Sequence, residues 1–338
     1  MGKFIKPKRL NPGDKVAAVS LSGGRAGDSD MRDRYELGKK RLEEIFGLSV
    51  VEMPNSLRGS DFLYKSPQAR AADFMEALLD PEIKGLFLNM GGDDGIRLLP
   101  FIDFDVIKNN PKVFMGFSDG DTFHHMFTHA GVTSFYGANL LATIAEPITL
   151  NPYTIRWIKK ALFSAEAIGA IEPCEAWTPI DWKSTKPEDL VWTKHDGYKV
   201  HQGAGKVKGH IMGGHSGPLK LMLGTCLFHD KSAWKDSVVF LEEGAAYGSK
   251  LAGVHSMRAL AAAGLFSEAK SLILPRLPED VVVDVVLKVL HEEGLLDLPV
   301  FSGVEFAHSN PMTVLPIGVE AEIDCENKTF TILESGVI

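Results

Sequence analysis

Apolar and polar positions follow a strand-then-helix rhythm along the first half of the chain. The apolar runs KVAAVSL and LSVVEM are each followed by a segment with helical spacing of apolar residues. The second of these segments begins with Ser66 and Pro67, a favourable N-cap followed by proline at the first helical position. Further apolar runs, IKGLFLNM and VFMGF, continue the rhythm. Such alternation predicts a parallel sheet with helices on both faces.

The rhythm is lost between residues 167 and 205, which are rich in Pro, Lys, Asp and Trp. A long irregular stretch inside a compact chain is usually a linker or a binding loop. Beyond it, KVKGHIM, SVVFLE and the closing hairpin AEIDCENKTFTIL indicate a second α/β unit that is rich in strands. We therefore predict an N-terminal parallel-sheet α/β domain over residues 1–166, a linker or substrate loop over 167–205, and a smaller C-terminal α/β domain over 206–338.

Composition removes several classes of function. The 338 residues carry 36 Lys and Arg against 44 Asp and Glu, a formal net charge of −8, and no basic stripe interleaved with aromatics. This balance argues against nucleic acid as a partner. The three cysteines, Cys174, Cys226 and Cys325, are far apart and show no metal-binding spacing, so neither a metal nor another cofactor is expected. No apolar run reaches the length of a membrane span and no targeting signal stands out, so we expect a cytoplasmic protein without a membrane partner.

A serine lies between two glycines at a predicted strand-to-helix junction, KVFMGFSDGDTFHHMF. The pattern of Gly116, Ser118 and Gly120 is that of a nucleophile elbow. Flanking glycines permit a tight turn, and the start of the following helix offers the N–H of Asp119 as an oxyanion donor. An ordinary glycine turn has the same pattern, so the motif alone leaves both interpretations open.

A nucleophilic serine needs a base, and the base needs an orienting acid. His308 lies in the polar loop of FSGVEFAHSNPMTVLPIG, and Glu242 ends the predicted strand SVVFLE. Glu243 follows directly, and strand alternation lets only one of the two acids face a cleft, so the choice stays open by one residue. The competing interpretation of both acids is a solvated strand end.

The glycine loop NMGGDDGIRLLP follows the third predicted strand. Its backbone N–H at Gly92 or Asp93 is a candidate second donor to the oxyanion, and the alternative is a turn with a helix cap. No Gly-Lys-Ser/Thr follows, which disfavours a phosphate loop. Of the histidines after the elbow, His125 and His129 have i, i+4 spacing, but no third ligand accompanies them. Packing or surface roles are therefore predicted for them rather than metal binding.

Together these residues resemble the LD-carboxypeptidase family of serine peptidases, which includes the microcin C immunity proteins. The likeness runs from LNPGDKVAAVS through the glycine loop and the elbow to GKVKGHIMGGHSG, VVFLEEG and PVFSGVEFAHSNPMTVLPIG. The resemblance implies Ser118 as the nucleophile, Glu242 as the triad glutamate and His308 as the triad histidine. It also implies backbone oxyanion donors at Gly92 and Asp119, a two-domain architecture, a homodimer, no metal and a cytoplasmic location.

Two departures from the family pattern bear on the substrate. Murein-cleaving members typically carry an Arg-Gly-Gly-Tyr-Gly loop, whereas residues 90–95 read MGGDDG, which is closer to the immunity branch. The family more often has GGN where this chain has GGHSG, which leaves the role of His215 open. In the immunity branch an aromatic residue of the irregular segment stacks on the nucleotide base, a contact worth about 1–3 kcal/mol. The expected substrate-binding positions, with packing of the linker as the alternative for each tryptophan, are Asp93, Trp177, Trp182 and Trp192.

The sequence thus predicts a serine peptidase that hydrolyses an amide bond in a small peptide or an aminoacyl-nucleotide conjugate, through a Ser-His-Glu triad and an acyl-enzyme. In this interpretation the protein serves microcin C-like self-immunity. One alternative is a murein tetrapeptide L,D-carboxypeptidase of cell-wall recycling. Another is an α/β-hydrolase esterase, which would carry a His-Gly-Gly-Gly-type loop where this chain has GGDDG. The third is a binding protein that keeps the fold without catalysis.

Overall fold

The computed structural model describes residues 3–147, 149–180, 190–229, 231–243, 249–276 and 281–338. The strands within these ranges are β1 (Lys15–Val19), β2 (Ser49–Glu52), β3 (Ile83–Leu88), β4 (Val113–Gly116), β5 (Phe135–Tyr136), β6 (Gly169–Ile171), β7 (Ala176–Pro179), β8 (Thr193–Lys194), β9 (Lys199–Gln202), β10 (Lys206–His215), β11 (Ser237–Glu242), β12 (Ser271–Pro275), β13 (Val300–Val304), β14 (Ser309–Asn310), β15 (Leu315–Pro316), β16 (Glu320–Asp324) and β17 (Thr329–Ile332). The α-helices are α1 (Arg32–Phe46), α2 (Ser60–Lys65), α3 (Pro67–Leu79), α4 (Phe104–Asn109), α5 (Asp121–His129), α6 (Pro152–Leu162), α7 (Ser216–Leu221), α8 (Lys250–Ala262) and α9 (Val281–Glu292).

The first half of the chain forms a six-stranded sheet in the order β15-β5-β4-β3-β1-β2. Its neighbours from β5 to β2 pair in parallel, and only β15 is antiparallel. Strand β4 is buried at every position, as expected where helices cover both faces of a parallel sheet. The predicted parallel-sheet α/β region is therefore confirmed.

The second half builds an eight-stranded sheet in the order β6-β17-β16-β10-β11-β12-β13-β9. Strands β10 to β13 pair in parallel at its centre, and antiparallel strands flank them on both sides. A second, strand-rich α/β unit is thus confirmed. The irregular segment contributes β6 and β9 to the two edges of this sheet, and β15 joins the first sheet instead. The boundaries at residues 166 and 205 stay a prediction.

Local signals in the sequence set several element ends. Helix α1 ends at Gly47, whose φ of 70° is the left-handed conformation that glycine adopts without strain. Helix α3 begins at Pro67 with Ser66 as its N-cap, as predicted. The predicted strand in MTVLPIG is only the two-residue β15, because the proline that ends it has no N–H for a longer ladder. Across the described ranges, every helix is too short or too polar to cross a membrane.

The two sheets meet at the carboxyl ends of their central strands. Strand β4 ends at Gly116, just before the predicted elbow, and β11 ends at Glu242. Strand β10 runs parallel to β11, with His215 opposite Glu242. In open α/β sheets, ligands bind beyond the carboxyl ends of the strands. The fold thus assembles candidate side chains from both halves of the chain at one edge.

Candidate active site

Ser118 occupies a strained turn between β4 and α5. Its φ is 63°, in the left-handed region that a non-glycine residue seldom adopts. A Cβ added at Gly116 would lie 2.8 Å from Leu88 Cβ, and one at Gly120 would lie 2.7 Å from Leu88 Cδ2. Only glycine fits on either side of the serine because the turn packs directly on β3. Such a turn lifts a serine hydroxyl out of the sheet, as in a nucleophile elbow.

His308 connects Ser118 with Glu242. Its Nε2 lies 3.1 Å from Ser118 Oγ, and its Nδ1 lies 2.5 Å from Glu242 Oε1. Because the carboxylate only accepts, Nδ1 carries the proton and Nε2 is left to accept from the serine hydroxyl. The structure therefore brings together the three residues that were predicted from distant parts of the sequence, and Glu242 is the neighbour of the pair that orients the imidazole.

Glu242 is fully buried and held through both oxygens. Its Oε1 also accepts the backbone N–H of His308 at 3.3 Å, and its Oε2 accepts the hydroxyl of Tyr136 at 3.1 Å. Burial, with the charge of Glu242, raises the pKa of Tyr136 well above its usual range, so the phenol stays a donor. The sequence analysis missed Tyr136. Its position at the end of the strand beside β4 is the signal that would have found it.

The charge of Glu242 also tunes His308. Burial alone would lower the pKa of the imidazole, but the charge of Glu242 and its hydrogen bond together outweigh that effect. The pKa of His308 is therefore raised above its ordinary value. The imidazole is thereby made a stronger base toward the serine hydroxyl.

The glycine loop passes directly over the serine. A Cβ at Gly91 would lie 2.9 Å from Ser118 Oγ and 3.3 Å from the backbone N of Asp119. A Cβ at Gly92 would lie 2.3 Å from the hydroxyl oxygen of Ser22. Both glycines are needed for this close approach. Gly92 and Asp93 then line, with Ser118 and Asp119, a cavity of about 370 Å³.

The side chain of Asp119 holds the loops around the elbow in place, a role that the sequence analysis did not give it. Its Oδ2 accepts the hydroxyl of Ser22 at 2.5 Å and the backbone N–H of Gly95 at 2.7 Å. Burial raises the pKa of this carboxyl, and the bonds from Ser22 and Gly95 oppose the rise. Farther along the loop, Asp94 pairs with the buried guanidinium of Arg70 at 2.7 Å.

His215 lies on the same cavity, and its ring centroid is 5.7 Å from that of His308. Its Nδ1 accepts the N–H of Gly217 at 3.0 Å, and burial lowers the pKa of the ring. The backbone N–H of His215 donates to the buried Asp121 at 2.8 Å. A Cβ at Gly214 would lie 1.8 Å from that carboxylate, which explains the glycine. His215 thus presents a neutral ring to the cavity.

The helix histidines pack against backbone. His124 Nε2 lies 2.9 Å from the carbonyl of Gly116, and His125 Nε2 lies 3.1 Å from that of Gly213. Burial lowers the pKa of His124 to about 4 and that of His125 to about 3. His129 contacts the carbonyl of Cys226 instead of sharing a ligand with His125. These contacts agree with packing roles.

Two groups of metal-ligand side chains converge to within 4.8 Å in the described parts of the chain: His215, Glu242 and His308, and Cys174, His195 and Glu305. In each group one histidine accepts, through Nδ1, the N–H of the glycine two residues later. A neutral ring then carries its proton on Nε2, and a protonated nitrogen is not a metal ligand. Both groups fit hydrogen-bonded networks better than metal sites.

The tryptophans do not converge on the serine in the described parts of the chain. Trp177 is buried, with the guanidinium of Arg276 5.4 Å from its ring centroid. Trp192 is 40% exposed and lines a separate cavity of about 730 Å³ with Tyr153 and Arg156. Trp182 lies outside the described residues. Contact of any of the three with substrate stays a prediction.

The chain matches known proteins over almost its whole length. Two family models match, the LD-carboxypeptidase N-terminal domain at residues 16–137 and the C-terminal domain at 208–323. The microcin C7 self-immunity protein MccF of Escherichia coli is 28% identical, over 90% of this chain and 89% of that protein. A Bacillus subtilis protein named "Probable murein peptide carboxypeptidase" is 26% identical, over 98% and 95%.

Solved structures agree with the sequence matches. The crystal structure of an MccF-like protein from Streptococcus pneumoniae in complex with AMP has a TM-score of 0.86 at 26% identity, over 95% of this chain and 98% of that one. The two family models lie on the two sheets that supply Ser118 on one side and Glu242 and His308 on the other. The chain therefore belongs to the LD-carboxypeptidase family, peptidase family S66, and is a serine peptidase or carboxypeptidase-like enzyme.

Proposed function

We propose that this enzyme hydrolyses an amide bond in an aminoacyl- or peptidyl-nucleotide conjugate with Ser118, His308 and Glu242 as its catalytic triad. The observation that carries the triad is the continuous contact from Ser118 Oγ through His308 to Glu242, at 3.1 Å and 2.5 Å. Each distance lies within the reach that proton transfer between a nucleophile, its base and an orienting acid requires.

In this mechanism the hydroxyl of Ser118 attacks the carbonyl carbon of the scissile amide as its proton passes to Nε2 of His308. Glu242 stabilises the imidazolium that forms, and His308 then gives the proton to the leaving amine. A water molecule, deprotonated by the same imidazole, hydrolyses the acyl-enzyme and regenerates the serine. Glu242 stays ionised throughout, because its role is to orient and to stabilise.

The tetrahedral intermediates need donors for their oxyanion. We assign these to the backbone N–H groups of Asp119 and Gly92, which lie on opposite sides of the same small cavity as Ser118. Asp119 stands at the start of the helical turn that follows the serine, where backbone N–H groups lack intrahelical partners. Removing one such donor in other acyl-transfer enzymes costs about a hundred- to a thousand-fold in kcat.

The substrate class is supported by the glycine loop and by the relatives. Asp93 is exposed at the mouth of the cavity, in the MGGDDG loop that resembles the immunity branch. The relatives include a microcin self-immunity protein, and the similar Streptococcus pneumoniae structure is a complex with AMP. These features favour a substrate that carries a nucleotide.

A murein tetrapeptide is the second candidate substrate, because another relative of similar identity is named for murein peptide cleavage. The two candidates are separated by a side-by-side hydrolysis assay with an aminoacyl sulfamoyl adenosine and an L,D-tetrapeptide. A higher kcat/KM for the nucleotide conjugate is expected. Faster cleavage of the tetrapeptide would transfer the assignment to cell-wall recycling.

An esterase or a non-catalytic protein on the same fold remain as alternatives to a peptidase acting on either substrate. A serine-reactive phosphonate should label Ser118 in the enzyme and leave a binding protein unmodified. Hydrolysis of simple esters without cleavage of either amide substrate would favour the esterase. The homodimer and the cytoplasmic location implied by the resemblance stay predictions, and light scattering of the purified protein checks the first.

A further inference from the structure

Glu305 is a buried acid three residues before His308, at the end of β13, and the mechanism above does not use it. Only 1% of its surface is exposed. A buried carboxylate is costly unless hydrogen bonds replace its water. The identity of its partners therefore indicates what the chain gains from keeping it.

The partners of Glu305 come from the irregular segment and from α6. Its Oε1 accepts the backbone N–H of Cys174 at 2.9 Å and lies 2.8 Å from Nε2 of His195. Its Oε2 accepts the hydroxyl of Tyr153 at 2.9 Å and lies 3.5 Å from that of Tyr198. Glu305 thus binds together three stretches of chain that are distant in sequence.

Every one of these partners donates. The N–H of Gly197 donates to Nδ1 of His195 at 2.8 Å, so the proton of the neutral ring is on Nε2, facing Glu305. Burial, with the charge of Glu305, raises the pKa of Tyr153 and that of Tyr198 well above their usual range, so both phenols keep their protons. The network has one acceptor group and several donors, which a neutral amide in place of the carboxylate cannot match.

The chain between Glu305 and His308 is strained. Ala307 has a φ of 82°, a conformation that costs a non-glycine residue about 1–3 kcal/mol and persists only where the surroundings enforce it. On the far side, the carbonyl of His308 accepts the N–H of Ile180 at 3.1 Å, and β14 pairs with β7. Both attachments are made to the irregular segment, one before His308 and one after it.

We propose that Glu305 is a positioning residue that fixes residues 305–308 on the irregular segment and so holds His308 within reach of Ser118. This inference rests on the proposed function, because it concerns the reactivity of the Ser118–His308 pair. It also assigns the irregular segment a second role besides any contact with substrate, namely support of the catalytic base.

The test compares Glu305→Gln with the matched control Glu172→Gln. Glu172 is an acid on the same side of the molecule that is exposed and pairs with Arg156. Glu305→Gln keeps the shape but puts an amide N–H against donors. We expect its kcat, and the rate of Ser118 phosphonylation, to fall roughly ten- to a hundred-fold, as small misplacements of catalytic groups do. KM should stay within about twofold, and the control should match wild type.

The pH profile separates positioning from a purely structural role. Contact with Glu242 is what raises the pKa of His308. A displaced imidazole should therefore titrate at lower pH, and the acid limb of the phosphonylation rate should move to lower pH in Glu305→Gln. Should that variant fold poorly, Tyr153→Phe removes one donor and should show the same changes to a smaller degree.

The outcomes are distinct. If the folded variants are phosphonylated at the wild-type rate with an unchanged acid limb, the inference is wrong and Glu305 serves stability alone. A uniform loss in Glu305→Gln and in Glu172→Gln would also overturn it. If wild type itself is not phosphonylated at Ser118, the proposed function fails instead, independently of Glu305.

Discussion

Nδ1 of His308 lies 2.5 Å from Oε1 of Glu242, although 66 positions separate the two residues in the chain. The acid ends a central strand of the second sheet, and the histidine follows another strand of that sheet. Tyr136 of the first sheet holds the other oxygen of the acid. The orientation of the imidazole is thus set by both halves of the fold before any substrate arrives.

Removal of a triad member should abolish turnover without unfolding the protein. Ser118→Ala and His308→Ala are each expected to lose nearly all kcat/KM for the aminoacyl sulfamoyl adenosine, with unchanged circular dichroism. Because the residues act as a unit, the double variant should be little worse than either single variant. Strictly multiplicative losses in the double variant would contradict a shared mechanism.

The two neighbouring glutamates should respond unequally. Glu242→Gln should lose far more kcat than Glu243→Gln, because the charge of Glu242 stabilises the imidazolium, although both side chains are buried. The measurement is kcat for each variant at the pH optimum, beside a melting temperature. Equal losses would remove the assignment, and the reverse order would transfer the role to Glu243.

The acid limb of the pH profile should report His308. The imidazole must be neutral to accept the serine proton, so kcat/KM should fall as the pH drops through the pKa of His308, which Glu242 raises above its ordinary value. In Glu242→Gln the charge is lost, so the pKa should fall and the limb should move to lower pH. A limb that stays in place in this variant would show that another group titrates there.

Chelation should leave the reaction unchanged. The proposed mechanism uses no metal, and the histidines of both candidate clusters accept backbone N–H groups in a way that puts their protons on Nε2. Prolonged treatment with EDTA is therefore expected to preserve the hydrolysis rate. A loss of activity that zinc restores would require His215 and its neighbours to be reinterpreted as ligands.

Stacking on a nucleotide base should be detectable at one tryptophan. At least one of the Ala variants of Trp177, Trp182 and Trp192 should lose about 1–3 kcal/mol in kcat/KM for the nucleotide substrate, the value of one stacking contact. The same variant should barely affect a peptide without a nucleotide. Trp192 is the more accessible of the two described rings, whereas removal of the buried Trp177 should chiefly lower stability. Wild-type behaviour of all three variants on both substrates would exclude stacking.

Much of the site could be predicted because its signals are local. An elbow needs its glycines next to the serine, and Gly116 and Gly120 both pack on Leu88. A parallel α/β architecture follows from the alternation of short apolar runs with helical periodicity, which reflects burial of each strand on both faces. The end of α1 was equally readable, since a left-handed residue there favours glycine.

Other features depend on contacts between distant segments. Tyr136 has an ordinary strand position, and only the packing of the first sheet against the second directs its hydroxyl to Glu242. The side chain of Asp119 became a fastening for two loops in the same way. The choice between Glu242 and Glu243 also required the structure, because both are buried and a chain pattern does not specify which faces His308.

By itself, the sequence determined the elements, the strained elbow at Ser118 and the residue types that its chemistry needs, because backbone conformation and hydrophobic periodicity are local properties. Tertiary structure alone decided that the irregular segment braces the base: Glu305 and Ile180 fix the chain on either side of Ala307 and His308. The physical reason is that hydrogen bonds of a buried carboxylate or a strand edge join residues across long separations, and no periodicity along the chain encodes which donors will meet which acceptor.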